Sequence, residues 1–320
     1  MAVNDGNTGV RVIAGIDEAG RGPLAGPVVA AAVILDPDHP VEGLADSKKL
    51  TARKRDLLFD LLSDAVLAIG IGIAQRREID QRNILQATII AMQRAVDALK
   101  IKPDHLMIDG QHIALIHPSQ ETVVGGDQSV PAISAASIIA KVTRDRLMQQ
   151  YHRVFPEYGF QQHKGYGTPG HLSALKELGA TPIHRQSFRP VRDYLPRWGD
   201  LKDGAAKGRL AEQLAAVYLI EQGMGIREMN YNAAFAGELD IIADDGPEIV
   251  FCEVKARSGS QWGAPEDQIT VTKRDRIMAA ANAYCQEKDI DTDVRFDVIS
   301  VRFTKEGPRI RHIKDGIYAD

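Results

Sequence analysis

Gly15-Ile-Asp-Glu-Ala-Gly-Arg-Gly22 is the stretch of this 320-residue sequence that decides the fold of its first half. It follows the apolar run at residues 10–15, which predicts a β-strand that leads into an acidic turn. A second apolar run at residues 28–35 predicts a neighbouring buried strand, and the glycines and prolines between the runs predict a hairpin-like loop. Because successive side chains on a regular strand alternate in direction, Asp17 and Glu18 reach one site only if the strand ends or bulges there.

Two further acids stand at predicted strand and helix ends. Asp109 ends the short apolar run 105–109, and Asp127 lies just before a helix predicted for residues 131–151. Acids drawn together from such settings would repel one another unless divalent cations neutralised them, and carboxylates suit Mg²⁺ or Mn²⁺. This pattern predicts a two-metal phosphodiesterase site with Mn²⁺ or Mg²⁺ as cofactor. Its predicted catalytic residues and metal ligands are Asp17, Glu18, Asp109 and Asp127.

Length and composition predict a two-domain globular protein of the cytoplasm. The chain has 320 residues with 44% hydrophobic composition, and only Cys252 and Cys285 could form disulfides. Neither a disulfide framework nor a structural zinc site is supported by two such cysteines, so a reducing compartment fits. Residues 1–9 lack the apolar core of a signal peptide and are predicted to be disordered, and the apolar run 28–35 is too short to cross a bilayer. No membrane association and no protein partner are inferred.

The local charge distribution favours a nucleic-acid partner more than the formal net charge of -4 does. Between Lys141 and Arg197 there are ten Lys and Arg residues against four acids. Such a stretch can track a phosphate backbone beside an acidic site. The alternative, a solvated surface of mixed charge, stays open from composition alone.

Alternating helical and strand patterns predict an α/β fold in both halves. In the first half, helices at 52–65, capped by Thr51, and 84–99 alternate with strands such as 68–74, which predicts a mixed sheet with covering helices. The second half has its own plan, with helices at 208–222 and 272–288 and strands at 238–243, 248–256 and 294–303. The predicted division is a domain at 10–198, a linker at 199–206 and a domain at 207–320.

Five motifs in register give the first half a resemblance to ribonuclease HII. They are Gly15-Ile-Asp-Glu-Ala-Gly-Arg-Gly-Pro23, Asp46-Ser-Lys-Lys49, Ile108-Asp-Gly110, Ser134-Ala-Ala-Ser-Ile-Ile-Ala-Lys141 and His163-Lys-Gly-Tyr-Gly-Thr168. The resemblance covers about residues 10–195 and implies a ribonuclease H-like fold. It also implies metal-dependent cleavage of RNA in RNA/DNA hybrids and 5′ of single ribonucleotides embedded in duplex DNA. Its metal-site acids map onto Asp17, Glu18, Asp109 and Asp127.

The same resemblance assigns the substrate contacts. Gly20, Arg21 and Gly22 are expected to read the ribose, since a glycine backbone approaches a sugar closely and the 2′-hydroxyl distinguishes RNA from DNA. Tyr166 resembles the family tyrosine that packs on the adjacent deoxyribose. The predicted phosphate contacts are Lys48, Lys49, Lys141 and Lys164. One departure from the family pattern is Gly125, which stands where a lysine is common and removes a cation but no metal ligand.

The second half carries a separate acidic motif. Glu253 and Lys255 share one face of a predicted strand, and folding the chain at residues 244–247 sets Asp240 almost opposite Glu253. Two acids and a lysine in this arrangement are typical of restriction-endonuclease-like nucleases, while an exposed hairpin with a cross-strand ion pair is the open alternative. Residues 203–303 resemble the uncharacterised YraN family, which implies that fold and adds Glu212 as a supporting acid. The resemblance implies no substrate.

The sequence thus predicts a ribonuclease HII fused to a nuclease-like domain of unknown substrate. Two alternatives remain at this point. A metal-independent hydrolase with paired carboxylates, such as a glycosidase, would keep its activity in the presence of a chelator. A non-catalytic nucleic-acid-binding protein would bind the duplex and leave both strands intact.

Overall fold

The chain folds into two compact units, each of which holds its own five-stranded sheet. The computed structural model describes residues 11–44, 50–111, 114, 116–195, 204–234, 237–258, 270–304 and 306–317. The first unit comprises Met1–Met148, His163–Leu172 and Ile183–Tyr194, and the second comprises Gln149–Gln162, Ser173–Pro182 and Leu195–Asp320. The predicted disordered residues 1–9 lie outside the described part of the chain, as does most of the predicted linker 199–206.

The sheet of the first unit is mixed, as the sequence predicted. Its strands are β1 (Ile13–Ala19), β2 (Val28–Ile34), β3 (Ala68–Ala74), β4 (His105–Asp109) and β5 (Gln120–Val123). They lie in the order β3-β2-β1-β4-β5, with β1–β2 and β2–β3 antiparallel and β1–β4 and β4–β5 parallel. β5 was not predicted, because its sequence Gln-Glu-Thr-Val is polar and gives no apolar run.

Helices lie between and after these strands in the first half of the chain. They are α1 (Ala52–Ala65), α2 (Arg76–Arg82), α3 (Ile84–Asp97), α4 (Gly126–Ser129), α5 (Pro131–Val154), α6 (Phe160–His163), α7 (Pro169–Leu178) and α8 (Arg189–Arg192), with a 3-10 turn at Pro156–Tyr158. The α1 cap is confirmed, since the Thr51 side chain accepts a hydrogen bond from the Lys54 backbone. α5 runs one turn further than predicted.

Glycines allow helices to approach the sheet closely on both faces. A Cβ at Gly15 would lie 2.1 Å from the carbonyl carbon of Ala132 at the start of α5. On β3, a Cβ at Gly70 or Gly72 would lie 2.0 Å from a backbone oxygen of α3. β2 lies between these layers with all seven residues buried. The helices therefore contact the strand backbone itself, which holds β1 and its acids rigidly against α5.

We expect Gly72→Ala to destabilise the first unit by roughly 3 kcal/mol, because overpacking against backbone atoms cannot be relieved by side-chain rotation. The added Cβ would meet Ala91 O at 2.0 Å and Ala95 N at 2.5 Å. Urea unfolding followed by hydrogen exchange in β3 and α3 measures the effect. Gly170→Ala is the matched control, since no heavy atom lies within 4 Å of its Cβ position. Equal stability of the two variants would contradict the packing argument.

The second unit has the restriction-endonuclease-like plan predicted for it. Its elements are α9 (Gly204–Glu221), β6 (Gly225–Asn232), β7 (Glu238–Asp245), β8 (Glu248–Ser258), α10 (Val271–Glu287), β9 (Val294–Thr304) and β10 (Gly307–Ile313). The strand order is β10-β9-β8-β7-β6, with β8–β9 parallel and the other pairs antiparallel. α9 begins at Gly204, so the end of the predicted linker is helical. The polar edge strands β6 and β10 were not predicted.

Two chain-wide properties can be stated from the described residues. Cys252 and Cys285 are both free thiols, which agrees with the absence of a disulfide framework. Within the described ranges, none of the helices combines the length and the apolar character needed to cross a bilayer.

Candidate active site

Asp17 lies inside β1 and not in a turn after it. β1 pairs with β2 as far as Ala19, with Asp17 opposite Ala31 and no shift in register. The prediction that the strand ends before the acids is therefore wrong, because the apolar run of β2 extends the pairing beyond them. Asp17 is 5% exposed, and it accepts hydrogen bonds from the Glu18 backbone at 2.7 Å and from the Ser137 hydroxyl on α5.

Glu18 is on the opposite face of β1 from Asp17, since the strand is regular there. Its carboxylate accepts a hydrogen bond from Arg21 at 3.2 Å. The strand end or bulge that would bring both carboxylates to one face is absent from β1. A metal role for Glu18 therefore requires its side chain to leave Arg21 and turn past the end of the strand.

Asp109 lies next to Asp17, and its side chain is hydrogen-bonded to the backbone of Asp127. β1 and β4 run parallel with Ile16 beside Ile108, so the next residues on the two strands are Asp17 and Asp109. Asp109 Oδ1 accepts hydrogen bonds from the backbone nitrogens of Gly126 at 2.8 Å and Asp127 at 3.4 Å. The three carboxylate-bearing positions thus converge from β1, β4 and the first turn of α4.

The backbone around Asp127 is well fixed despite the departure at Gly125. Gly125 adopts a φ of 65°, a left-handed conformation that glycine takes at no steric cost. Asp127 itself is 5% exposed, and the Ser134 hydroxyl donates to its carbonyl oxygen at 2.6 Å. The glycine that replaces the lysine common in the family therefore leaves the backbone at Asp127 held by hydrogen bonds.

Without a bound cation, the negative charge of the Asp17 carboxylate is disfavoured by its surroundings. Burial, and then the charges of Glu18 and Asp109, raise the pKa of Asp17 well above its usual range. Among the described residues, no three His, Cys, Asp or Glu side chains lie at the spacing of a metal cluster. The donor set is nevertheless one of converging hard carboxylate oxygens whose repulsion a divalent cation would relieve, so these residues fit Mg²⁺ or Mn²⁺.

The predicted ribose-reading and tyrosine segments lie together. Gly20 has a φ of 102°, and a Cβ at Gly22 would lie 3.7 Å from the Tyr166 ring. The backbone of Leu24 donates to the carbonyl of Gly165 at 2.8 Å, which ties the loop at residues 20–27 to the loop at residues 163–168. Tyr166 is 46% exposed, so its ring is available to a ligand.

The predicted phosphate-binding lysines have different surroundings. Lys141 pairs with Asp145 at 2.7 Å, and Lys164 is partly buried with a φ of 50°. A phosphate contact by Lys141 would therefore compete with an ion pair. Lys48 and Lys49 lie outside the described residues.

The second unit brings its predicted acids and lysine together. Asp240 lies one step beyond the paired residues Ile241 and Cys252, which sets it opposite Glu253 as predicted. Asp240 accepts a hydrogen bond from the Val254 backbone at 2.6 Å. Glu253 is 4% exposed, and the Lys255 ammonium donates to it at 2.6 Å.

Lys273 is a member of this second site that the sequence analysis missed. It lies in the first turn of α10, and its ammonium is 3.1 Å from the Glu253 carboxylate oxygen that Lys255 does not contact. No motif joins Lys273 to Glu253 in the sequence, because the contact depends on how α10 packs on the sheet. The exposed-hairpin alternative is wrong, since Glu253 is buried.

Charges in the second site interact strongly. Burial and the charge of Glu253 raise the pKa of Asp240 to about 7. Burial also raises the pKa of Glu212 on α9, with Glu253 among the nearby acids that add to this effect. The carboxylates of Asp240 and Glu253, beside two lysines, form a donor set that fits a hard divalent cation.

Comparisons with known proteins cover the two units separately. Residues 14–191 match the family model described as Ribonuclease HII, and residues 211–301 match that of Uncharacterised protein family UPF0102. Ribonuclease HII from Polaromonas sp. strain JS666 is 55% identical over 184 residues, which are 58% of this chain and 92% of that protein. Ribonuclease HII from Geobacter sulfurreducens is 55% identical over 187 residues, or 58% of this chain and 86% of that protein.

A solved structure supports the same relationship. The crystal structure of the ribonuclease H2 from Pyrococcus horikoshii OT3 aligns with a TM-score of 0.51 and 30% identity. The alignment covers 57% of this chain and 96% of that structure. The ribonuclease H-like fold predicted for the first half is thereby confirmed.

Proposed function

Because the chain belongs to the ribonuclease HII family and is a ribonuclease H type endonuclease, we propose that Asp17, Glu18, Asp109 and Asp127 form its divalent-metal site. The observation that carries this proposal is the convergence of three acids, with Asp17 and Asp109 on adjacent strands and Asp109 bonded to the backbone of Asp127. We propose Mn²⁺ or Mg²⁺ as the metal, since the donors are carboxylates. We also propose a cytoplasmic location and a division into domains at 10–198 and 207–320. The linker predicted for 199–206 is then shorter, because α9 already begins at Gly204.

The protein's own residues prepare the acids for this role. A divalent cation pair, when bound, supplies water activation and stabilises the leaving 3′-oxygen. Ser137 and the Glu18 backbone orient the Asp17 carboxylate, while Gly126 and Asp127 orient that of Asp109 through backbone hydrogen bonds. Close packing of α5 on Gly15 keeps Asp17 from moving away from its repulsive neighbours. The carboxylates of Asp17 and Asp109 are therefore held in place before any ligand binds.

The proposed substrates are RNA/DNA hybrids and duplex DNA that contains ribonucleotides. Residues 20–22 present a backbone that can reach a 2′-hydroxyl, and the exposed Tyr166 ring beside Gly22 offers an apolar surface to the next sugar. The proposed cut lies 5′ of the ribonucleotide and leaves 5′-phosphate and 3′-hydroxyl ends. Phosphate contacts by Lys48, Lys49, Lys141 and Lys164 would fix the register without reading sequence.

The direct test uses the full-length protein and a DNA duplex with one ribonucleotide, with Mn²⁺, with Mg²⁺ and with a chelator. We expect a single cut 5′ of the ribonucleotide in either metal and none with chelator. Cleavage that persists in chelator would favour the metal-independent hydrolase. Binding without any cleavage would favour the non-catalytic nucleic-acid-binding protein.

A second activity is proposed for the second unit, as a metal-dependent nuclease of unknown substrate with Glu212, Asp240, Glu253 and Lys255 as its site. The observation that favours it is the buried Glu253 carboxylate between two lysines and next to Asp240. A lysine beside metal-binding acids can stabilise charge that develops on a phosphate. Lys273 is well placed to add to that effect.

We expect Glu253→Gln to reduce nicking of supercoiled plasmid DNA by more than about 10²-fold, because it removes a carboxylate ligand. The assay is done in the Asp17→Asn background with Mn²⁺ or Mg²⁺, so that the first unit does not contribute. Glu306→Gln, at a 78% exposed side chain that pairs with Arg309, is the matched control. Equal nicking by both double variants would exclude Glu253 from the activity.

A further inference from the structure

Two arginines of the first unit have buried guanidinium groups. Arg144 on α5 is 1% exposed, and Arg185 is 0% exposed. Both were predicted, from the charge of residues 141–197, to belong to a nucleic-acid-binding surface, and this prediction is wrong for these two because neither reaches the surface. Burial, and then the charge of Arg144, lower the pKa of Arg185, so keeping both cations inside is costly.

Backbone carbonyls of the loop at residues 20–27 surround Arg185. Its guanidinium has five N–H groups, and the hydrogen bonds run from Nε to Gly26, from Nη1 to Arg21 and Pro23, and from Nη2 to Gly20 and Pro27. The opposite charge of Asp80 opposes this lowering of the Arg185 pKa but is a smaller cause than burial and the charge of Arg144. All five donors thus serve one loop, and they turn its carbonyl oxygens toward the protein interior.

Arg144 extends this arrangement to the loop that carries Tyr166. It donates to the carbonyls of Pro27 at 3.0 Å and Ala25 at 3.1 Å, and also to that of Lys164 at 3.0 Å. The carbonyl of Pro27 also accepts a hydrogen bond from Arg185, so the two guanidinium groups bind carbonyls of the same backbone segment, residues 20–27. Lys164, whose φ is 50°, is two residues before Tyr166.

Gly20 is the point where the scaffold contacts the ribose-reading segment. A Cβ at Gly20 would lie 2.1 Å from Arg144 Nε, so the backbone of that segment rests directly on the buried cation. A core of this size can be stabilised equally well by apolar side chains. The guanidinium donors of Arg185 hold the carbonyls of Gly20 and Arg21 inward, while Arg21 and Gly22 stay exposed on the outer side of the loop.

We propose that Arg185 and Arg144 are positioning residues that fix residues 20–22 in register with Tyr166, and so set the preference for a single ribonucleotide within DNA. The proposal rests on the proposed roles of residues 20–22 and Tyr166. A duplex with one ribonucleotide has one 2′-hydroxyl and one RNA-to-DNA junction, so it must bind in one register. A uniform RNA/DNA hybrid offers a 2′-hydroxyl at every step and tolerates a shifted loop.

The test compares kcat/KM of full-length variants on these two duplexes. Lysine has three N–H donors and cannot serve five carbonyls, so Arg185→Lys keeps the charge and loosens the loop. We expect the ratio of single-ribonucleotide to hybrid kcat/KM to fall between about tenfold and 10²-fold, the usual cost of a misplaced substrate contact. The ratio is independent of the folded fraction of each preparation.

Controls separate positioning from stability. Ile34→Val, at the buried end of β2 that is farther from the loop, should lower the melting temperature by a few degrees and leave the ratio unchanged. Should Arg185→Lys fail to fold, Arg144→Lys, which loses the planar fork that joins the loops, is expected to lower the ratio in the same way. An unchanged ratio in the folded variants would overturn the proposal.

Failure of the proposed function would give a different pattern. Gly22→Ala places a methyl group at ordinary contact distance, 3.7 Å, from Tyr166, so it folds but occupies the space a sugar would enter. If the wild-type protein cuts neither duplex, or if Gly22→Ala cuts the single-ribonucleotide duplex with the wild-type kcat/KM, the proposed function of the site fails. If Gly22→Ala lowers that kcat/KM and both arginine variants leave the ratio unchanged, only the positioning proposal fails.

Discussion

Asp17→Asn is expected to reduce cleavage of the single-ribonucleotide duplex by more than about 10²-fold and, in the presence of chelator, to raise the melting temperature of the first unit. Both effects have the same cause, the negative charge of the Asp17 carboxylate. Asp17 is buried beside Glu18 and Asp109. Its negative charge therefore repels theirs in the absence of metal, and the same charge binds a divalent cation when one is present. Asparagine keeps the oxygen that accepts from the Glu18 backbone and removes the repulsion.

Metal titration separates the two effects. Divalent cations bind the folded state and should raise the wild-type melting temperature as their concentration rises, by about 2–4 °C for each kcal/mol of binding linkage. The Asp17→Asn variant should show a much smaller rise. Asp56→Asn is the matched control, since its side chain is 56% exposed and pairs with Arg146 on the surface. A variant that cut at the wild-type rate would remove Asp17 from the metal site.

Much of the fold and the first site could be predicted, because both depend on local patterns. Apolar runs located β1–β4, and the motifs that carry Asp109 and Tyr166 identified the family. The edge strands β5, β6 and β10 were missed, since edge strands carry polar side chains on their open side and lack an apolar run. The position of Glu18 was uncertain from sequence because face alternation depends on where pairing with β2 stops, and that is a tertiary property.

Residues whose roles depend on long-range contacts gave no signal in the sequence. Lys273 reaches Glu253 only after α10 has packed on the second sheet. Arg144 and Arg185 resemble their surface neighbours in the sequence, and only the fold shows that their donors face backbone carbonyls. Charge density along a chain therefore overstates the cations available to a nucleic acid, since buried positioning groups are counted with exposed ones.

Asp297→Ala is expected to destabilise the second unit by about 3 kcal/mol or more, the range for removing one partner of a buried charged network. Asp297 on β9 is 0% exposed and accepts hydrogen bonds from Arg295 at 3.0 Å, His312 at 2.8 Å and the Asp315 backbone at 3.0 Å. Alanine leaves all three donors without this acceptor in a site closed to water. Arg295 retains Asp245 and Glu248, which keeps the loss near the lower end of the range.

The measurement is urea unfolding with hydrogen exchange resolved by segment, because a two-unit chain is not expected to unfold in one step. Protection should fall in β8, β9 and β10 and stay unchanged in β1–β4. Glu306→Ala, which removes an exposed pair with Arg309, should change stability by less than about 0.5 kcal/mol. Equal stability of the two variants would contradict the network argument.

The pH dependence of this difference follows from the direction of the Asp297 pKa. Burial alone would raise it, but hydrogen bonds from His312 and Arg295 outweigh burial and hold the pKa below the usual 3.8. A carboxylate with a lowered folded pKa stabilises the protein above the unfolded pKa and loses that contribution as pH falls through the folded value. The stability gap between wild type and Asp297→Ala should therefore persist from neutral pH down to about pH 4 and shrink below it, whereas a gap due to lost packing alone would not depend on pH in that window.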